Sequence, residues 1–332
     1  MLTTNMNNTH DKRRILTIES MSMKYNNNKI MATKSYTLAS VLGVKHYTNT
    51  LFSFTTKRLK TFNFKPGEYT TIGLIIRGTL VFRDYYICSP TWDNKLEFYS
   101  KVVPNGLFTS FLRMVTTKSS IIIKKKTSRG LSLDVLDSGK RLFLLCTDIG
   151  IAAVSSIISE PNTYAKFGEV IVVIVCEYVQ ELQYFNDKLK QMTKDQRIKP
   201  YAKHKLRVYQ SVTQEPYPYS GDLTWLIKSG TLIADLRTHN FDKMDRFMVC
   251  GSKQTTLDSI NLLKSLGYSE GSIDYPGHLT YERIFVDQTF ELLTDLDVLL
   301  KWLKLKHPDK DTKTLLNSNR SISSSFQLFF GY

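Results

Sequence analysis

The chain has 332 residues, 42% of them hydrophobic and 23% charged, a composition suited to a globular protein large enough for two domains. No apolar run reaches the roughly 18 residues of a membrane helix, so no membrane attachment is expected. The net charge of +15 points to an acidic partner. No helix-turn-helix, zinc-finger or RNA-binding signature accompanies that charge, so nucleic acid is not the expected partner.

Residues 1–35 are polar and asparagine-rich and read as a disordered N-terminal extension, with Met21, Met23 and Met31 as alternative starts. They lack the apolar core of a secretory signal, so a cytoplasmic location is expected, with organelle import as the alternative. Cys88, Cys146, Cys176 and Cys250 have neither CxxC nor metal-ligand spacing. Each ends or follows an apolar run and reads as a small buried residue in a reducing compartment. The histidines are scattered too, and no metal is expected.

Residues 36–137 read as short strands: "TLFSFTTKR", "YTTIGLII", "TLVFRDYYIC", "KLEFYSKVV" and "SIIIKKK". Turn signals at Pro66-Gly67, Asn94 and Pro104-Asn105-Gly106 separate them, which predicts an antiparallel β-barrel or sandwich. "LFTSFLRMV" (Leu107–Val115) interrupts with helical spacing. Lys57, Arg58, Lys60, Lys65, Lys124, Lys125 and Lys126 make this half basic.

Residues 138–290 follow another pattern. "RLFLLCT" precedes "IAAVSSII", "EVIVVIVCE" precedes "QELQYFNDKLKQM", "KLRVYQSVT" precedes "DLTWLIKSG", and "RFMVCGS" precedes "LDSINLLKSLGY". Strand-then-helix order predicts an α/β parallel sheet, with "LTYERIFV" as a closing strand. "EVIVVIVCE" lacks polar alternation, so both its faces should be covered. Residues 291–332 form a C-terminal extension whose Leu292, Leu296, Leu299 and Leu303 share one face of an amphipathic helix. Docking on the body of the same chain is favoured over docking on a second subunit, so a monomer is expected.

Four segments in order, "RDYYICSP" (Arg83–Pro90), "LEFYSKVVPNGLFTSFL" (Leu96–Leu112), "GKRLFLLCTDIGIAA" (Gly139–Ala153) and "MVCGS" (Met248–Ser252), resemble the bacterial-type ferredoxin/flavodoxin–NADP(H) reductases. The resemblance spans about Tyr36 to Asp287. It implies an FAD-binding β-barrel followed by a Rossmann-like nucleotide-binding domain. In that family FAD takes a hydride from the nicotinamide and passes single electrons to ferredoxin or flavodoxin, both acidic carriers that suit a basic surface. It implies that Arg83 meets the FAD diphosphate, that Tyr85 packs on the flavin ring, and that Ile87, Cys88 and Ser89 complete the motif. Tyr86 stands where the family has a serine near the reactive flavin nitrogen. Lys101, Val102, Gly106, Phe108, Thr109 and Ser110 match in part the segment that contacts the ribityl chain and diphosphate. On the nicotinamide side the resemblance assigns Thr147, Gly150, Ile151, Gln214, Gly251 and Ser252 to the dinucleotide. Tyr86, Thr147 and Phe285 are its candidates beside the reacting atoms.

The dinucleotide half departs from the pattern. Asp148 replaces the first glycine of the loop, Ile149 its second threonine and Ala153 its proline. Glu177, Gln214 and Asp222 stand where the family places arginines for the NADP(H) phosphates. Losing two or three charged hydrogen bonds costs on the order of 3–9 kcal/mol as an upper bound. A weakened NADP(H) site is therefore expected. The alternatives to an active NADP(H) reductase are a degenerate member that no longer binds NADP(H), a non-catalytic flavoprotein or interaction module, and a flavoenzyme that uses NADH, which needs fewer arginines but whose diphosphate Asp148 also opposes.

Overall fold

A computed structural model describes residues 35–76 and 79–283. The expected N-terminal extension, the C-terminal amphipathic helix and Phe285 lie outside the described residues.

The first unit is a curled antiparallel sheet. Its strands are β1 (Tyr36–His46), β2 (Leu51–Lys57), β3 (Tyr69–Ile76), β4 (Thr79–Tyr86), β5 (Lys95–Lys101) and β6 (Ser120–Lys124). They pair in the order β4-β3-β6-β1-β2-β5. After β4 the chain runs to the far edge, where the Cys88 N–H donates to the Glu97 carbonyl at 2.8 Å and bridges the open side of the half-barrel. Phe52, Phe54, Phe98, Ile72 and Ile123 fill the interior. β1 was not among the five strands expected. Its burial alternates weakly, and its register shifts between Val41 and Gly43, so no clean period of two marks it in sequence. The helix expected over Leu107–Val115 is shorter, α1 (Leu107–Leu112).

The second unit is a parallel sheet of β7 (Arg141–Thr147), β8 (Glu169–Cys176), β9 (Leu206–Val212), β10 (Asp245–Cys250) and β11 (Leu279–Tyr281), in the order β11-β10-β7-β8-β9. Helices α2 (Ile151–Ile158), α3 (Pro161–Lys166), α4 (Gln183–Met192) and α5 (Lys199–Lys205) precede β9, and α6 (Leu223–Lys228), α7 (Thr231–Leu236) and α8 (Lys253–Ser265) follow it. Alternation sends Leu142, Leu144 and Cys146 to one face of β7 and Phe143 and Leu145 to the other. The first set packs with α2, α3 and α4, the second with α6, α7 and α8. Both faces are covered, which is why "RLFLLCT" and "EVIVVIVC" read as unbroken apolar runs. At the amino edge the fully buried Asp245 takes two bonds of 2.6 Å from the Arg141 guanidinium and ties β10 to β7.

The two sheets share one core. Leu51, Tyr86, Cys88 and Tyr99 of the barrel belong to the same cluster as the inner face of the parallel sheet. Tyr99 stacks on Tyr184 of α4 at 4.1 Å. The Gly67 N–H donates to Ser156 Oγ at 2.9 Å, and the Thr91 N–H to Glu160 Oε1 at 2.7 Å. Ion pairs Lys45–Asp187 and Lys188–Glu97 also cross this seam. Among the described residues no helix is long and apolar enough to cross a membrane.

Candidate functional site

On β4, Arg83 and Tyr85 share one face and Tyr86 points to the other. Arg83 is half-buried, with its guanidinium 5.9 Å from the Phe108 ring. The Tyr85 ring lies among Phe54, Phe98 and Phe108, and its hydroxyl shares a 3.1 Å hydrogen bond with Ser100 Oγ. Burial pushes that phenol up to about 12. Phe108 lies in the first turn of α1, which follows Gly106 with no side-chain cap. An uncapped helix start beside an arginine and a flat aromatic is a fitting cradle for an anion carrying a planar ring.

Other residues assigned to this half are already engaged. Ile87 and Cys88 are fully buried, one in the barrel core and one in the shared core. Ser89 Oγ accepts the Glu97 N–H at 3.2 Å. Thr109 Oγ1 accepts the Val103 N–H at 3.0 Å, and Ser110 Oγ donates to the Gly106 carbonyl at 2.8 Å. These side chains hold the loop in shape. Val102 packs against the barrel core.

Tyr86 faces the seam. The residue is 9% exposed, and its ring meets Tyr69 edge-on at 6.0 Å. Its hydroxyl is buried and has no hydrogen-bond partner among the described residues. Burial raises this phenol, and the neighbouring Glu282 and Cys250 add to the shift. An orphaned buried hydroxyl is costly unless something supplies a partner.

Across the seam lie the carboxyl ends of β7 and β10. Thr147 and Gly251 meet so closely that a Cβ at Gly251 would fall 1.9 Å from Thr147 Oγ1. Gly150 rests on the Cys250 carbonyl, where a Cβ would fall at 2.5 Å. Both glycines are therefore required for close approach, whatever is bound. Ile151 is buried at the start of α2, and Ser252 Oγ caps α8 by accepting the Thr255 N–H at 3.2 Å. Glu282 follows β11, and its Oε2 accepts the Gly251 N–H at 3.1 Å. Burial pushes this carboxyl up to about 8; the Gly251 bond opposes that, and Asp148 adds to it. In sequence Cys250 reads as a packing residue, and Glu282 is not among the expected site residues. The signal for the carboxyl was a glutamate one residue past an apolar strand end.

Asp148 adopts φ +50°, the left-handed conformation a glycine would take. The loop keeps its turn, and the added carboxylate has a partner: Asp148 Oδ1 lies 2.7 Å from Lys101 Nζ. Burial depresses that ammonium, but the bond to Asp148 and the charges of Asp148, Glu181 and Glu177 outweigh it and raise its pKa. Lys101, expected at the barrel's cofactor, reaches across to the opposite unit. The repulsion expected from Asp148 is correspondingly reduced.

At the rim of β8 and β9, Glu177 and Gln214 are exposed, and the Gln214 N–H donates to the Glu177 carbonyl at 3.0 Å. Asp222 has an ordinary explanation as the N-cap of α6, accepting the Trp225 N–H at 2.9 Å. Arg58, expected on the basic surface, turns inward and donates to the Phe62, Thr91 and Asp93 carbonyls. Lys65 pairs with Asp134 at 2.9 Å. Lys57, Lys60 and Lys126 remain exposed. A separate cavity of about 370 Å³, lined by Trp92, Glu97, Lys188 and Arg197 among others, includes none of the expected site residues.

No family model matches the chain. It is 38% identical over 251 residues to the flavodoxin/ferredoxin–NADP reductase of Rhodobacter capsulatus, an alignment covering 75% of this chain and 93% of that protein. It is 34% identical over 254 residues to ferredoxin–NADP reductase A of Sorangium cellulosum, covering 76% and 91%. Among solved structures, a ferredoxin NADP+ reductase from Neisseria gonorrhoeae with bound FAD and NADP matches with a TM-score of 0.68 at 25% identity, covering 74% of this chain and 98% of that one.

Proposed function

The chain belongs to the ferredoxin/flavodoxin–NADP reductase family, flavin-dependent oxidoreductases that use FAD and NADP(H), and we propose that it passes electrons from a nicotinamide dinucleotide through FAD to an acidic carrier protein. The observation that carries this reading is the seam where the buried Tyr86 of the barrel strand shares one core with Cys250 at the carboxyl end of a parallel strand, and Glu282 accepts the neighbouring Gly251 N–H. In open α/β sheets ligands bind outside those ends.

FAD, when bound, supplies the exchange between two-electron and one-electron chemistry. The chain supplies placement. Arg83 and the open start of α1 would hold the diphosphate, and Tyr85 offers a flat face for the ring. The unpartnered Tyr86 hydroxyl can donate a hydrogen bond into the seam. Glu282 retains a proton at neutral pH, because burial holds its pKa near 8, and so adds no negative charge beside the reacting atoms. Thr147, Gly150 and Gly251 shape the floor on which a nicotinamide would rest. Exposed lysines at positions 57, 60 and 126 would steer an acidic carrier toward the barrel.

The test is a visible spectrum of the purified full chain, followed by addition of NADPH or NADH without oxygen, then of an acidic carrier. The expected result is a yellow protein that either or both nucleotides bleach and the carrier reoxidises, at a rate that falls with salt. A colourless protein, or a yellow one that neither nucleotide bleaches, rejects the reading.

A further inference from the structure

Building on the reductase reading above, we infer that this chain takes NADH in preference to NADPH, and that Glu177 is the residue that sets the preference. β8 and β9 are neighbouring parallel strands with Cys176 opposite Val212, so residue 177 and residues 213–215 leave the sheet side by side. The Thr213 N–H donates to the Cys176 carbonyl and the Gln214 N–H to the Glu177 carbonyl, both at 3.0 Å, which stitches the two loops into one rim.

That rim is acidic. Segments 176–182 and 213–223 contain Glu177, Glu181, Glu215 and Asp222, and no lysine, arginine or histidine. Three of the four carboxylates also take the donors a phosphate would use. Glu181 Oε2 accepts the Glu177 N–H at 2.9 Å, and the Glu215 carboxylate accepts the Val179 N–H. Asp222 accepts the Trp225 N–H and the Thr224 hydroxyl. Glu177 is the exposed carboxylate one step beyond the second parallel strand in chain order.

A ribose 2′-hydroxyl donates to a carboxylate at that position, whereas a 2′-phosphate needs a cation there. In NADPH the 2′-phosphate adds a dianion beside four carboxylates, and repulsion follows over distances shorter than the screening length. NADH brings the hydroxyl alone. Its diphosphate would approach the loop at Asp148, whose charge Lys101 partly offsets.

Two measurements test this. Equilibrium binding compares 5′-AMP with 2′,5′-ADP, which differ only by the 2′-phosphate. Anaerobic flavin reduction compares NADH with NADPH in the wild type and in Glu177→Arg, with thermal melting to confirm that the variant is folded. We expect 2′,5′-ADP to bind no more tightly than 5′-AMP and NADH to be favoured by about tenfold or more in kcat/KM. Glu177→Arg should shift that ratio toward NADPH by roughly tenfold. Tighter binding of 2′,5′-ADP, a wild type faster with NADPH, or a folded Glu177→Arg with an unchanged ratio overturns the inference. Reduction by neither nucleotide overturns the reductase reading itself, and this preference with it.

Discussion

Lys101 Nζ and Asp148 Oδ1, 2.7 Å apart, join the last residue of a barrel strand to the loop that follows the first parallel strand. Both side chains are about one-third exposed, at 32% and 38%, so the bond contributes no more than about 1 kcal/mol. Its weight lies in charge. It meets part of the Asp148 charge but leaves the carboxylate where a dinucleotide diphosphate would approach.

Asp148→Gly should therefore strengthen dinucleotide binding, by roughly fivefold, since a like charge of about 1 kcal/mol is removed and the backbone is freed. Glycine also adopts the left-handed conformation without strain, which offsets the lost ion pair, so the melting temperature should change little. Titration of NAD+ and NADP+ against the variant checks this; unchanged or weaker affinity for both would count against it.

Glu282 predicts a pH dependence. Its carboxyl titrates near its ordinary 4.5 when unfolded and near 8 when folded. Between those values the folded chain binds more protons than the unfolded one, so this group's contribution lowers stability as pH rises from about 4.5 to about 8. Glu282→Gln removes that slope. Denaturant unfolding from pH 5 to pH 9 should show the variant gaining on the wild type as pH rises; a constant difference would show that Glu282 titrates alike in both states.

Tyr86→Phe separates chemistry from packing. Among the described residues the hydroxyl has no partner, so its removal should leave stability unchanged or raise it by about 1 kcal/mol. If the hydroxyl donates into the seam, flavin reduction should slow by about tenfold. Stopped-flow bleaching beside a melting curve reads both, and a variant that loses stability without slowing would assign Tyr86 to packing alone.

Lys188→Met tests the buried bridge between the units. Lys188 is 4% exposed and pairs with Glu97. Removing the cation strands a largely buried carboxylate and should cost about 3–5 kcal/mol. Lys188→Met with Glu97→Leu should recover most of that. Equal losses in the single and double variants would mean that the charges are not coupled.

How much of this was legible in sequence depends on the range of the interaction. β3 coincides with "YTTIGLII", and β7 and β8 match their apolar runs, because burial imposes a local pattern. Arg83 and Tyr85 stood out because the resemblance is carried by contiguous residues. The Lys101–Asp148 pair spans 47 positions, and the Arg58 bonds to the Thr91 and Asp93 carbonyls span 33 and 35. Nothing local marks such contacts. That Asp222 caps a helix and that Glu282 is buried are visible only in the fold, because neighbouring residues mark neither.

All four cysteines are buried and unpaired. The thiolate is the form that alkylating reagents and peroxide attack. Burial pushes the thiols of Cys88 and Cys176 up to about 12 and raises that of Cys250 as well. Burial thus shields these sulfurs in the folded chain: the native protein should resist iodoacetamide and hydrogen peroxide, and sensitivity should appear only on unfolding.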